Sequence, residues 1–87
     1  MAAYEVVLKA SVLKDLDALG RAEQERCVEA MRALGDDPRP RGCEKLSAQE
    51  RYRIRVGSYR VVYEIRDRQL VVVVVKLGHR RDVYRPR

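Results

Sequence analysis

Three arginines in the second half of the chain have the spacing of a phosphate-binding cluster. Arg53 and Arg55 alternate with apolar residues, and Arg60 follows shortly after Gly57-Ser58, a pair typical of a two-residue β-hairpin turn. That turn places Arg55 opposite Arg60. Like charges paired across two strands cost about 0.2–1 kcal/mol, so the arrangement favours an anion between them. Guanidinium groups bind phosphate well and could also stabilise the extra charge of a phosphorane transition state.

The same turn fixes the rest of the hairpin register. The predicted pairs are Val56 with Tyr59, Ile54 with Val61, Arg53 with Val62, Tyr52 with Tyr63, and Arg51 with Glu64. The apolar pairs share one face, which we expect to pack against helices, and the arginines share the other. Arg60 should therefore project from the polar face, and its loss should leave the fold intact. An alternative role for some of these arginines is protection of an edge strand against aggregation.

A second group of candidate residues lies in the C-terminal tail. His79 is the only histidine, and its unperturbed pKa suits proton transfer near neutral pH. Tyr84 could stack on an unpaired base, a contact of ~1–3 kcal/mol. The predicted RNA-binding cations are Arg51, at the start of the hairpin, and Arg81 and Arg85 in the tail, whereas Arg80 of the tail is a catalytic candidate. The plainer alternatives are that His79 is structural and that Tyr84 caps the core.

The sequence predicts that the secondary-structure elements holding these residues form one α+β domain over residues 1–87. A β-rich segment, 4–9, is followed by a helix with Ser11 as N-cap and Gly20 as its end. A second helix is predicted over 22–34, with Gly35 after it, and residues 36–50 are predicted to form a loop anchored by Leu46. The order is β-α-α-β-β-β, with the helix hairpin packed on an antiparallel-rich sheet.

The last strand is predicted from the apolar run of residues 70–75. Because this run has no polar alternation, we expect a central strand that is covered on both faces. Cys27 falls on the apolar side of the second helix, where it is expected to behave as a small buried hydrophobe.

Charge is unevenly distributed along the chain. Residues 1–50 hold eight Lys or Arg and ten Asp or Glu, whereas residues 51–87 hold eleven Lys or Arg and three Asp or Glu, a net charge of +8. This asymmetry is typical of a nucleic-acid-binding surface, although a solvated basic surface is an alternative. No metal motif, cofactor motif, signal peptide or apolar run of membrane-spanning length is present, so we expect a cytoplasmic protein without metal, cofactor or membrane partner.

Two stretches resemble the signatures of one known family. Residues 51–65, RYRIRVGSYRVVYEI, and residues 78–84, GHRRDVY, are similar to the YRIRxGxYRxxY and GHRxxVY patterns of RelE-type toxins in the RelE/ParE superfamily. The element order and the chain length are similar as well, so the resemblance covers essentially the whole chain.

The resemblance implies a toxin of a type II toxin–antitoxin system that enters the ribosomal A site and cleaves mRNA there without metal. In such toxins the 2′-OH attacks the adjacent phosphorus. Arg53 and Arg55 match the two basic positions of the second strand, and Arg60 matches the phosphate-binding arginine. Arg80 matches the arginine that acts on the leaving group, and Tyr84 the stacking tyrosine. The implied partners are an acidic antitoxin, the ribosome with its mRNA, and operator DNA only through the antitoxin complex.

This chain departs from the best-known members because it has Arg53 and Arg55 where they have lysines. An arginine essentially cannot act as a base. Catalysis would then rest on orientation and charge stabilisation, or on His79 or Tyr84 for the proton. Two alternatives stay open: inhibition of DNA gyrase, as in ParE-like relatives, and a non-enzymatic nucleic-acid-binding module.

Overall fold

The computed structural model describes residues 3–46 and 51–79. The elements are β1 (Glu5–Leu8), α1 (Ala10–Asp17), α2 (Arg21–Asp36), β2 (Glu44–Lys45), β3 (Arg51–Val56), β4 (Tyr59–Arg66) and β5 (Val71–His79). The strands form one sheet in the order β1-β5-β4-β3-β2. β1 pairs parallel with β5, and the other neighbouring strands pair antiparallel. The predicted α+β class is confirmed. The predictions for Arg80, Arg81, Tyr84 and Arg85 lie outside the described residues.

The hairpin of β3 and β4 has the predicted register at all six positions, from Arg51 with Glu64 to Val56 with Tyr59. Gly57 adopts a φ of +61° in the turn. A residue with a side chain is strained in that conformation, and a Cβ there would also lie 3.2 Å from Arg26 Nη1. The sequence signal was strong because a Gly-first turn and a two-residue side-chain period together leave one register.

Both helices cover the same face of the sheet and build the core with it. Helix α1 contributes Val12 and Leu16. Helix α2 contributes Cys27, Met31 and Leu34, so the prediction for Cys27 is confirmed. The sheet supplies the inward-facing residues of three strands: Tyr52, Ile54, Val56, Val61, Tyr63, Ile65, Val72, Val74 and Leu77. In the described part of the chain, no helix is both long and apolar enough to cross a membrane.

The helix ends differ from the predicted ones. Helix α1 begins at Ala10, with Lys9 at the N-cap and no side-chain capping bond, so Ser11 lies inside the first turn. Helix α2 runs through Gly35 to Asp36. The carbonyl of Gly35 accepts hydrogen bonds from the N–H groups of Ala3 and Tyr4 at 3.0 and 2.9 Å. Because the start of the chain satisfies this carbonyl, the helix does not need to end there.

A short fifth strand was not predicted. Glu44 and Lys45, within the predicted loop, form β2 and pair with Arg53 and Tyr52 of β3. Two charged residues carry no β signature, so the pairing depends on tertiary contacts. The predicted anchoring of this segment through Leu46 is wrong, since that residue is 40% exposed.

Strand β5 is longer than predicted and is covered on one face only. It lies between β1 and β4, and it begins at Val71 because Leu70 has a left-handed φ of +56° in the preceding turn. Val72 and Val74 are buried under the helices, whereas Val71 and Val73 on the other face are half-buried. The apolar run of residues 70–75 therefore predicted an interior strand correctly. The expectation that both of its faces would be covered is wrong, because the helices cover only one.

A polar cluster holds the loop after α2 against the sheet. Arg39 Nη2 lies 3.0 Å from Asp67 Oδ2 in the turn between β4 and β5. The hydroxyl of Tyr4 donates to Asp67 Oδ1 at 2.5 Å. These hydrogen bonds, first that from Arg39 and then that from Tyr4, hold the pKa of Asp67 below its usual range. The cluster connects the start of the chain, the loop before β2 and the sheet.

We expect Asp67→Asn to reduce the loss of stability that acid causes. A carboxyl whose pKa is lowered in the folded state stabilises that state above its unfolded pKa of about 3.9, and this contribution is lost as pH falls through the folded pKa. Melting temperatures at pH 7 and pH 3 should therefore differ more in the parent than in the variant. Asp15→Asn, the same change of charge on α1, serves as control. An equal acid effect in parent and variant would contradict the prediction.

Candidate phosphate-binding face

The face of the sheet opposite the helices carries a group of arginines that we call the basic face: Arg51, Arg53, Arg55 and Arg60. The pleat of β3 puts the first three on one side because side chains alternate along a strand. Arg60 joins them from β4, directly opposite Arg55. The structure thus brings together the arginines that the sequence predicted to cluster.

Arg60 lies on the basic face, but it is only 4% exposed. The expectation that its loss would leave the fold undisturbed therefore needs correction. Its neighbour Val62, on the same face, is also buried, so this part of the sheet surface is covered. Truncation of a buried arginine removes packing of its aliphatic stem as well as its charge.

Arg51 is engaged by an acidic neighbour. Its Nε lies 2.9 Å from Glu64 Oε2, and Arg66 Nη2 lies 3.2 Å from the other carboxylate oxygen. The hydrogen bond from Arg51 is the main reason why the pKa of Glu64 lies below its usual range. Arg51, predicted as an RNA-binding residue, is thus part of a local ion-pair network beside the other arginines.

Sequence reasoning missed Glu44, which reaches the basic face from β2. Its Oε2 lies 2.6 Å from Arg53 Nη2. Its pKa is lowered first by the hydrogen bond and charge of Arg53, and further by the charges of Arg55 and Arg60. No local pattern marks this residue, because its position depends on the pairing of β2 with β3.

His79 lies on the other face of the sheet. It pairs with Tyr59 at the end of β5, and their rings meet edge to face with centroids 5.8 Å apart. Both line a groove of about 390 Å³ against the end of α1, together with Asp15, Leu19 and Lys76. The structure therefore does not bring His79 together with the basic face.

A second groove has little capacity for chemistry. It has a volume of about 330 Å³, lies between β1 and α2, and is lined mainly by apolar residues; among the described residues of its lining, Arg32 alone is charged. Across residues 3–46 and 51–79, no three His, Cys, Asp or Glu side chains form a group that could hold a metal ion. The basic face is the surface best equipped to bind an anion.

Comparison with known proteins gives a consistent result. The family model for the ParE toxin of type II toxin–antitoxin systems matches residues 6–84. A protein of Escherichia coli described as a RelE-like toxin is 29% identical over 85 residues, which covers 93% of this chain and 90% of that protein.

Two solved structures are similar in fold. One is the archaeal RelE–RelB complex from Pyrococcus horikoshii, with a TM-score of 0.82, 32% identity, and coverage of 90% of this chain and 96% of the other. The second is the toxin–antitoxin complex RelBE2 from Mycobacterium tuberculosis, with a TM-score of 0.78, 27% identity, and coverage of 90% and 99%. Since the family model spans most of the chain and these structures share its sheet and helices, the chain belongs to the ParE toxin family of type II toxin–antitoxin systems and is a RelE-type toxin.

Proposed function

We propose that this toxin is a ribosome-dependent endoribonuclease that cleaves mRNA in the ribosomal A site without metal. The observation that carries the proposal is the grouping of Arg53, Arg55 and Arg60 on one face of the sheet. Cations grouped on one face are suited to a scissile phosphate, whose negative charge increases in the transition state. ParE-like relatives, which inhibit gyrase, generally lack such a basic hairpin.

In the proposed reaction the 2′-oxygen forms a bond to the adjacent phosphorus, and the bond from phosphorus to the 5′-oxygen breaks. The products are a cyclic phosphate and a 5′-OH. The 2′-OH loses a proton and the leaving oxygen gains one. Arg60 and Arg55 would contact the phosphate from opposite strands, and Arg53 would lie beside them. By resemblance, Arg80 would act on the leaving oxygen and Tyr84 would stack on a base.

The position of His79 favours charge stabilisation over catalysis by this histidine. A general base must lie within hydrogen-bond reach of the proton that it takes, directly or through one water. His79 packs on Tyr59, on the side of the sheet that faces the helices. The arginines essentially cannot accept the proton. Orientation of the substrate and stabilisation of charge would then supply most of the rate enhancement.

We expect His79→Ala to change cleavage by less than about threefold, because the imidazole faces away from the arginines; loss of a real acid or base would cost about 10²-fold or more. The measurement is the single-turnover rate on ribosome-bound mRNA between pH 5 and pH 8, with Asp15→Ala, in the same groove, as control. A large loss together with a flattened pH profile would restore His79 as the proton-transfer group.

The test of the proposed function is in vitro translation with the purified toxin, followed by mapping of mRNA ends. Codon-positioned breaks within the translated sequence are expected, and intact message would point to the alternative. That alternative is inhibition of DNA gyrase, and the specific observation in its favour is that the matching family model describes ParE. A supercoiling assay with purified gyrase separates the two.

We further propose an antitoxin partner. The RelE-type chains from Pyrococcus horikoshii and Mycobacterium tuberculosis were each solved in complex with one. For this chain, the +8 charge of residues 51–87 favours a small acidic antitoxin, and binding to operator DNA would occur only through that complex. The association rate of toxin and antitoxin should then fall as salt rises. Action on ribosome-bound mRNA would take place in the cytoplasm.

A further inference from the structure

We propose that Glu44 is an internal anion that occupies the basic face in the free protein and that an incoming phosphate must displace. This inference rests on the proposed binding of RNA phosphate by the arginines. Glu44 is placed directly opposite Arg53 by the pairing of β2 with β3. Its Oε2 lies 2.6 Å from Arg53 Nη2. Carboxylate and phosphate oxygens accept the same charge-assisted hydrogen bonds from guanidinium, so one ligand excludes the other at this nitrogen.

The two partners of this ion pair differ in how firmly they are held. The side chain of Arg53 is 12% exposed and lies within a six-residue strand that is paired on both sides. The side chain of Glu44 is 58% exposed and belongs to a two-residue strand at the sheet edge. Glu44 is therefore the partner that can move away, and Arg53 is the partner that stays in place for a phosphate.

The carboxylate also balances charge across the whole cluster. The charges of Arg53, Arg55 and Arg60 all favour the ionised form of Glu44, so the attraction is mutual. While Glu44 is in place, it offsets the repulsion between arginines that face each other across β3 and β4. When a phosphate enters, the same carboxylate becomes a like charge beside it and must rotate outward.

Glu64 provides a useful contrast on the same face. It belongs to the interior strand β4, its side chain is 23% exposed, and it contacts both Arg51 and Arg66. A carboxylate held from two sides within the sheet is a fixed part of the surface. Of these two glutamates, Glu44 is the one that can be displaced, because its side chain is more exposed and it belongs to a short edge strand.

The experiment measures anion binding separately from RNA cleavage. Inorganic pyrophosphate is titrated into the full-length protein, and the Arg53 Nε–H resonance is followed by NMR. The variants are Glu44→Gln and the matched control Glu29→Gln, which makes the same change of charge on α2. Loss of one competing, partly screened carboxylate is expected to tighten binding of pyrophosphate by about three- to tenfold for Glu44→Gln. The control should stay within twofold.

Three further measurements test the same competition. The increase in pyrophosphate affinity caused by Glu44→Gln should become smaller as salt rises, and it should disappear when Arg53 is also replaced by glutamine. A short single-stranded RNA with 2′-deoxy sugars, which cannot be cleaved, should follow the same order in fluorescence anisotropy. If Glu44→Gln is poorly folded by circular dichroism, Glu44→Asp replaces it; the shorter carboxylate should give a smaller gain in affinity.

Unchanged or weaker binding of pyrophosphate by a folded Glu44→Gln would overturn the proposal. Unchanged affinity combined with a large loss of mRNA cleavage would also overturn it and would assign the carboxylate to proton transfer instead. Because pyrophosphate binding does not require cleavage, a toxin that fails to cut mRNA but binds pyrophosphate more tightly without Glu44 would disprove the nuclease function and leave this inference standing.

Discussion

Replacement of Arg60 by glutamine is expected to lower single-turnover cleavage of ribosome-bound mRNA by about 10²–10³-fold, the usual effect of removing one donor that stabilises charge in a transition state. Arg60 is the most buried arginine of the basic face, at 4% exposure. A cation with little access to water is poorly screened and acts strongly on a nearby phosphate. Glutamine keeps part of the stem and a polar end, so it disturbs packing less than alanine would.

Two controls separate the loss of charge from the loss of structure. Arg60→Lys keeps the charge but not the planar pair of donors, and it should retain more activity than glutamine. Arg68→Gln changes an exposed arginine in the turn between β4 and β5 and should leave the rate unchanged. A glutamine variant that melts like the parent and cleaves at the parental rate would disprove the role of Arg60.

Removal of the ribosome is expected to have a still larger effect. We expect the purified toxin to cleave naked RNA at least about 10³-fold more slowly than the same message in a translating ribosome. Within the described residues, the basic face supplies charge but no histidine, since His79 faces the other way. Under the proposed mechanism, we expect the ribosome to align the 2′-OH with the phosphorus, and alignment of this kind can contribute many orders of magnitude to the rate.

The measurement compares initial rates on one mRNA, free and ribosome-bound, at equal toxin concentration. EDTA should leave the ribosome-bound rate unchanged once ribosome integrity is controlled with a magnesium-independent fixation step. Arg60→Gln serves as the inactive control on both substrates, so that contaminating nuclease is recognised. Strong metal-dependent cleavage of free RNA by the parent alone would contradict both the mechanism and its dependence on the ribosome.

The hairpin was predictable from sequence because its signals are local. Gly57-Ser58 sets the turn, the two-residue period sets the faces, and together they predicted Arg55 opposite Arg60, as observed. The buried side of α2 was predictable for the same reason, since Cys27 and Leu34 lie on one face of a periodic segment.

The features that were not predicted depend on contacts distant in sequence. Glu44 joins the basic face only because β2 pairs with β3, and two charged residues give no sign of a strand. The burial of Arg60 depends on what surrounds the start of β4, whereas alternation predicts only the face on which it lies. His79 was predicted to belong to the tail beyond the last strand, but β5 extends to His79 and places its side chain on the face opposite the arginines.

The irregularity between β4 and β5 has a consequence for the shape of the sheet. Val62 pairs with Lys76 and Tyr63 with Val74, so Val75 is an extra residue in β5. Extra residues of this kind bend a strand and increase its twist. Deletion of Val75 would leave Lys76 outward and Leu77 inward, as they are now, and would remove only the bend. Curvature and chemistry are thus set by different residues in this toxin, so the outline of the surface that a ribosome would meet can be altered while every arginine stays on its face.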